Sequence, residues 1–121
     1  MKIREVSQKY GLTQDTLRYY EKIGLLDYVK RDSQGNRDYQ EEDLQRLEFV
    51  RCMRDAGLSI QVLQKYLQLY SQGDETIEER KTLLIQQRDE LIKKQEMIQT
   101  SLDKLNYKIK NYEKVLSVHK I

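Results

Sequence analysis

Ile3-Arg4-Glu5-Val6-Ser7-Gln8-Lys9-Tyr10-Gly11-Leu12-Thr13-Gln14-Asp15-Thr16-Leu17-Arg18-Tyr19-Tyr20-Glu21-Lys22 is the run that decides the fold. Ile3, Val6 and Tyr10 fall at helical spacing, and Gly11 stands where a left-handed residue closes a helix. Thr13 is then the N-cap of a second helix that reaches about Lys22 and stops before Gly24. Two short helices joined by a tight glycine-containing turn form a helix-turn-helix. On spacing alone, the same pattern also fits an ordinary two-helix corner.

The residues that follow separate these readings. Leu25, Leu26, Tyr28 and Val29, then Lys30 to Tyr39, predict two short strands around a polar turn at Gly35. Lys30, Arg31 and Arg37 flank that turn. A basic hairpin directly after a helix-turn-helix is a wing, with charge placed to reach phosphates beside the groove that the second helix enters. The competing arrangement is a solvated hairpin whose arginines pair with Asp32 and Asp38.

A third helix is expected from about Glu41 to Ala56, ending at Gly57. Glu41, Glu42 and Asp43 suit its positive end. Phe49, Met53 and Ala56 make one apolar face and Leu47 and Val50 another, so this helix packs on two sides. Ser59 caps a fourth helix with Ile60, Leu63, Leu67 and Tyr70 at core spacing, ending near Gly73.

Thr76-Ile77-Glu78-Glu79 then reads as a capping box. Ile77, Leu84, Leu91, Ile98, Leu105 and Tyr112 recur every seven residues, and Leu102, Ile109 and Leu116 fill the second seam position of the later half. A helix from Thr76 to about Ser117 is about 60 Å long at 1.5 Å per residue. A head of some 70 residues cannot cover that stripe, so a coiled-coil dimer is expected. The alternative is a helix folded back on its own head. Residues 1–73 are thus read as the head and 74–121 as a dimerisation helix.

Composition agrees with a mostly helical chain that needs a partner. Of 121 residues, 35% are charged and 38% hydrophobic, with no proline and five glycines; the mean hydropathy is −0.85. Such a chain buries little apolar surface by itself. The net charge of +2, from 22 basic and 20 acidic residues, does not announce nucleic acid. That case rests on where particular basic residues sit. Cys52 and His119 are the single cysteine and histidine. They offer no disulfide framework, nucleophile–base pair or metal cluster, so no enzyme, cofactor or metal is expected. With no apolar leader and no membrane span, the expected place is a reducing cytoplasm.

The run Leu12 to Leu26, with Arg18-Tyr19-Tyr20-Glu21 at its centre, resembles the signature of the MerR family of transcription regulators. Arg37-Asp38-Tyr39 and Arg54-Asp55-Ala56-Gly57-Leu58-Ser59-Ile60 fall where that family has its wing and its third-to-fourth helix turn. Leu102 to Lys110 looks like the short branch grouped with the NmlR and AdhR types. The resemblance covers the whole chain. It implies a homodimer with antiparallel long helices on double-stranded promoter DNA, bending and untwisting a long spacer so that RNA polymerase reads both promoter elements.

With the second helix in a major groove, Arg18 and Tyr19 face DNA, and Gln14 and Thr16 are the candidates for base edges. Tyr20 turns toward the core with a hydroxyl in reach of a phosphate. Arg31, Asn36 and Arg37 belong to the wing, and Tyr39 offers its hydroxyl to the DNA backbone. Arg54 and the amides of Leu58 and Ser59 resemble the family's second wing. Two residues depart from the pattern: Asp27 stands where proline is frequent, and Asn36 where an aromatic is frequent.

The metal-sensing branches carry cysteines near the end of the dimer helix, and this chain has none after Cys52. In the short branch, a lone cysteine of this helix is implicated in responses to reactive aldehydes or oxidants, which makes Cys52 the candidate sensor. Against that, a lone helical cysteine is most often a small hydrophobe, and Glu48 and Asp55 disfavour a thiolate. An architectural or excisionase-like DNA binder without a signal, and a coiled-coil adaptor without DNA, are the competing functions.

Overall fold

A computed structural model describes residues 1–114 of the chain; Leu116, Ser117 and His119 lie outside the described residues. The head is built from α1 (Ile3–Tyr10), α2 (Gln14–Lys22), α3 (Glu41–Asp55) and α4 (Ile60–Ser71). A short 3-10 turn, Asp74–Thr76, leads into α5 (Ile77–Lys114). Gly11 closes α1 at φ 66°, a conformation that costs other residues steric energy. The Thr13 hydroxyl accepts from the Thr16 amide at 3.0 Å, satisfying one of the orphan donors at the start of α2. Ser59 does the same for Val62 at 3.1 Å.

One buried cluster holds the head together. Val6 of α1, Leu17 and Tyr20 of α2, Leu47 and Val50 of α3, and Leu63 and Leu67 of α4 meet there with Leu25, Leu26, Val29, Tyr39 and Leu58. Leu17, Leu47 and Leu63 are fully enclosed; each such side chain contributes roughly 1.5–3 kcal/mol on leaving water. α3 packs on both faces, since Phe49, Met53 and Ala56 also lie against the cluster and Phe49 stacks on Tyr66 with ring centres 5.1 Å apart.

Three local expectations are corrected. The two strands of the wing shrink to one antiparallel bridge, Arg31 to Arg37. The Asp32 carboxylate accepts from the amides of Gln34 and Asn36 at 2.9 and 3.0 Å, which fixes the turn. On either side of that bridge the Asp38 amide donates to Lys30 O at 2.7 Å and the Asp32 amide to Asn36 O at 2.8 Å, and the Tyr39 amide points out of the hairpin to Met1 O at 2.7 Å. Tyr70, expected in the core, is 57% exposed, and Leu69 is buried instead. The Tyr70 ring lies under the Arg80 guanidinium, 5.1 Å from ring centre to Cζ.

Thr76, expected as an N-cap, is the last residue of the 3-10 turn, and its hydroxyl points back to α4. It donates toward Leu69 O at 2.7 Å and Gly73 O at 2.8 Å, and it accepts from Arg80 Nε at 3.0 Å. These bonds account for the extent of the head unit, which runs from Met1 to Leu83 and takes in the first turns of α5; the second unit begins at Leu84.

Thr76→Ser keeps the donor and is expected to leave the urea midpoint nearly unchanged. Thr76→Val removes the one proton shared between Leu69 O, which keeps the Gln72 amide, and Gly73 O, which keeps the Thr76 amide and Arg80 Nη2, and should cost about 0.5–1.5 kcal/mol. Thr76→Asp separates the two roles: an N-cap tolerates aspartate, whereas an ionised carboxylate cannot donate to Leu69 O. Full stability of the aspartate variant would restore the cap.

Candidate nucleic-acid interface

α2 has one face in the core and one in solvent. Leu17 and Tyr20 are buried, Tyr20 at 7% exposure, while Arg18 and Tyr19 are exposed. Gln14 and Thr16 are half-buried beside them. Arg18 lies along the helix surface, with Nη1 donating to Asp15 Oδ1 at 3.0 Å and Nη2 to Gln14 Oε1 at 3.3 Å. Exposed pairs of this kind are worth little, so a phosphate or base edge competes for the guanidinium on favourable terms. The Thr16 hydroxyl sits 2.8 Å from that of Thr13.

The wing is tied to α2 through one carboxylate. Glu21 Oε2 accepts from Arg31 Nη2 at 3.0 Å, and Glu21 Oε1 accepts from Arg37 Nε at 2.9 Å. The arginines therefore pair with neither Asp32 nor Asp38. Arg31 also donates from Nη1 to Val29 O and lies 4.8 Å over the Tyr28 ring. The two terminal nitrogens of Arg37 make no hydrogen bond among the described residues. Burial by itself would raise the pKa of Glu21, but hydrogen bonds from Arg37 and Arg31 together with their charges outweigh it and hold the carboxyl below its ordinary 4.5. Sequence reading passed over Glu21, because an acidic residue is not sought in a surface for a polyanion. Its spacing from Leu17, one helical turn, was the available signal.

Tyr39 departs most from its expected role. Its ring is 2% exposed, and its hydroxyl is buried without a hydrogen-bond partner among the described residues. Burial raises its pKa above 10.0. It is a core residue at the base of the wing, and its hydroxyl is not presented to a DNA backbone. Asn36 is exposed at the wing tip, where its main chain closes the turn on Asp32.

At the second turn, Arg54 Nη1 donates to Leu58 O at 2.7 Å. The Leu58 amide is already engaged with Met53 O at 3.0 Å and its side chain is buried, which corrects its expected place as an anion donor. The Ser59 amide, at the start of α4, is the remaining donor of that pair.

Cys52 is exposed on α3. Its thiol points at Glu48 Oε1, 3.4 Å away. This bond, then desolvation and the Glu48 charge, raise the thiol above its ordinary 9.0.

An exposed helix with a basic edge, followed by an arginine wing, both carried on one compact core, defines a winged helix-turn-helix head. The chain belongs to the MerR family: residues 1–70 match the family described as MerR HTH family regulatory protein, and residues 44–107 match that described as MerR, DNA binding. It is similar to the HTH-type transcriptional regulator AdhR of Bacillus subtilis, with 51% identity over 76% of this chain and 66% of that protein. Its fold matches a MerR family transcriptional regulator from Listeria monocytogenes, with a TM-score of 0.88 and 45% identity over 96% of this chain and 88% of that one. It also matches HiNmlR, a MerR family regulator lacking the sensor domain and solved bound to promoter DNA, with a TM-score of 0.82 and 33% identity over 97% and 93% of the two chains. These matches make it a DNA-binding transcriptional regulator of the short NmlR/AdhR-like branch. No helix among the described residues is long and apolar enough to cross a membrane.

Two measurements check the electrostatics. Because the folded carboxyl of Glu21 is depressed, its stabilising effect is present above the unfolded value and lost as pH falls through the folded one. The stability gap between the wild type and Glu21→Gln should therefore close below about pH 4. Glu48→Gln removes the main cause of the raised Cys52 thiol, so iodoacetamide should label Cys52 several-fold faster in that variant at pH 8; an unchanged rate would show that Glu48 does not hold the thiol.

Proposed function

We propose that two copies pair through antiparallel α5 helices and hold two winged heads on one pseudo-palindromic promoter. The protein bends and untwists a long spacer there, so that RNA polymerase engages both promoter elements. The observation that carries this reading is the seam of α5. Ile77, Leu91, Ile98, Leu102, Leu105, Ile109 and Tyr112 are all exposed on a 38-residue helix. An apolar stripe that long in water calls for a second helix. Leu84 lies on the same heptad column and is half-buried. A chain divided as a head of residues 1–73 and a dimerisation helix of 74–121 fits this use, with the first turns of α5 structurally part of the head.

On each head, Arg18 and Tyr19 with Gln14 and Thr16 enter the major groove, and Arg37 and Arg54 contact phosphates that set the register. Leu105→Asp is expected to give a monomer by sedimentation and to lose specific promoter binding while the head stays folded. A dimeric variant would move the interface away from this seam. Arg18→Ala should weaken binding by roughly tenfold or more, as the loss of a groove-facing arginine costs about 1–3 kcal/mol.

The proposed signal enters at Cys52, the chain's one thiol, which is open to solvent. Reactive aldehydes or oxidants are its candidate modifiers, and Glu48 keeps it a slow nucleophile until that carboxylate is displaced. Run-off transcription from the adjacent promoter, with and without formaldehyde, tests both halves. Aldehyde-dependent transcription that Cys52→Ser loses, with DNA affinity unchanged, supports the reading. An intact response in Cys52→Ser assigns the signal elsewhere, and DNA bending with no effect on transcription leaves an architectural protein.

A further inference from the structure

Removing a carboxylate from a DNA-binding surface ordinarily strengthens binding, because it lowers the repulsion of phosphates. Glu21 is the exception that the wing geometry points to. It is mostly enclosed, its side chain 11% exposed, and both its oxygens are engaged at 3.0 Å or less by arginines ten and sixteen residues further on. The hairpin's own backbone is short, one bridge flanked by hydrogen bonds from Asp38 N–H to Lys30 O at 2.7 Å and from Asp32 N–H to Asn36 O at 2.8 Å. It sets the main chain at Arg31 and Arg37 but not the far ends of their side chains. The aim comes from α2, where Glu21 stands one helical turn from Leu17, which with Tyr20 is buried in the core.

We infer that Glu21 is a positioning residue for DNA: it fixes the wing guanidiniums to the helix that enters the groove, so that helix and wing meet the duplex in one register. The reading rests on the DNA-binding function above and adds a residue of the wrong charge to its site. The mechanism is preorganisation. An arginine held by its Nε keeps its terminal nitrogens in one place, and the ordering cost is met on folding rather than on binding.

The test is the sign of the effect. Affinity for a fluorescein-labelled duplex of the promoter segment is measured from low to moderate salt for the wild type, Glu21→Gln and Glu42→Gln. Glu42 is an exposed carboxylate on α3 outside the site, and its loss should leave binding unchanged or slightly tighter. Glu21→Gln is expected to bind roughly tenfold more weakly, because the Arg37 guanidinium, freed of its anchor, no longer holds its phosphate. Its salt dependence should flatten by about 0.9 for each arginine that leaves its phosphate, a change that a purely structural role would not produce.

Equal or tighter binding by a folded Glu21→Gln overturns the inference. If that variant does not fold, the wild type still decides the matter by NMR of its arginine Nε–H groups. Addition of duplex should shift Arg37, with Nε–H exchange slow before and after, and an unmoved Arg37 overturns the inference. A wild type that fails to bind the duplex at low salt would instead remove the DNA-binding reading itself.

Discussion

The burial of one face of α2 is the constraint on which the head depends. Nine residues give that helix little more than two turns, too few to be stable alone. Leu17 and Tyr20 anchor it in the cluster with Val6, Leu47, Val50 and Leu63. Once those two point inward, the helical period leaves Arg18 and Tyr19 no choice but to point outward. The solvent-facing residues of α2 are thus set by packing on the opposite face. The same helix extends the constraint to the wing through Glu21, which accepts from both Arg31 and Arg37.

Much of this was legible in the sequence, because the signals were local. Thr13 and Ser59 are side-chain caps, Gly11 is left-handed, and the helical period of α1, α3 and α4 predicts burial at Val6, Leu47 and Leu63. The misses fall where local pattern meets a distant partner. Tyr70 keeps the spacing of a core residue, but the chain turns at Gly73 and Arg80 comes back over its ring. Thr76 has the local sequence of a cap, but its hydroxyl serves carbonyls at the end of the preceding helix. Tyr39 follows a wing arginine and looks exposed, yet its ring is needed to close the core.

The interface was legible as a set of positive charges and not as a network. Arg18, Arg31 and Arg37 were identified by type and place. That two of them share one acceptor follows only from the fold, since Glu21 and Arg37 are sixteen residues apart. Electrostatics similarly separates exposure from reactivity at Cys52: the sulfur is open to solvent, while the carboxylate one turn away holds its proton.

The exposed seam of α5 also divides how the molecule answers to dilution. The head encloses its own core, so its melting temperature should be the same at any protein concentration. The long helix has no such enclosure, and its order comes from whatever covers Leu91, Ile98 and Leu105. If that cover is another copy, mass action governs it. Sparse molecules would then be folded heads trailing a frayed helix, and abundant ones fully ordered, which makes cellular copy number itself a determinant of how much of the chain is structured.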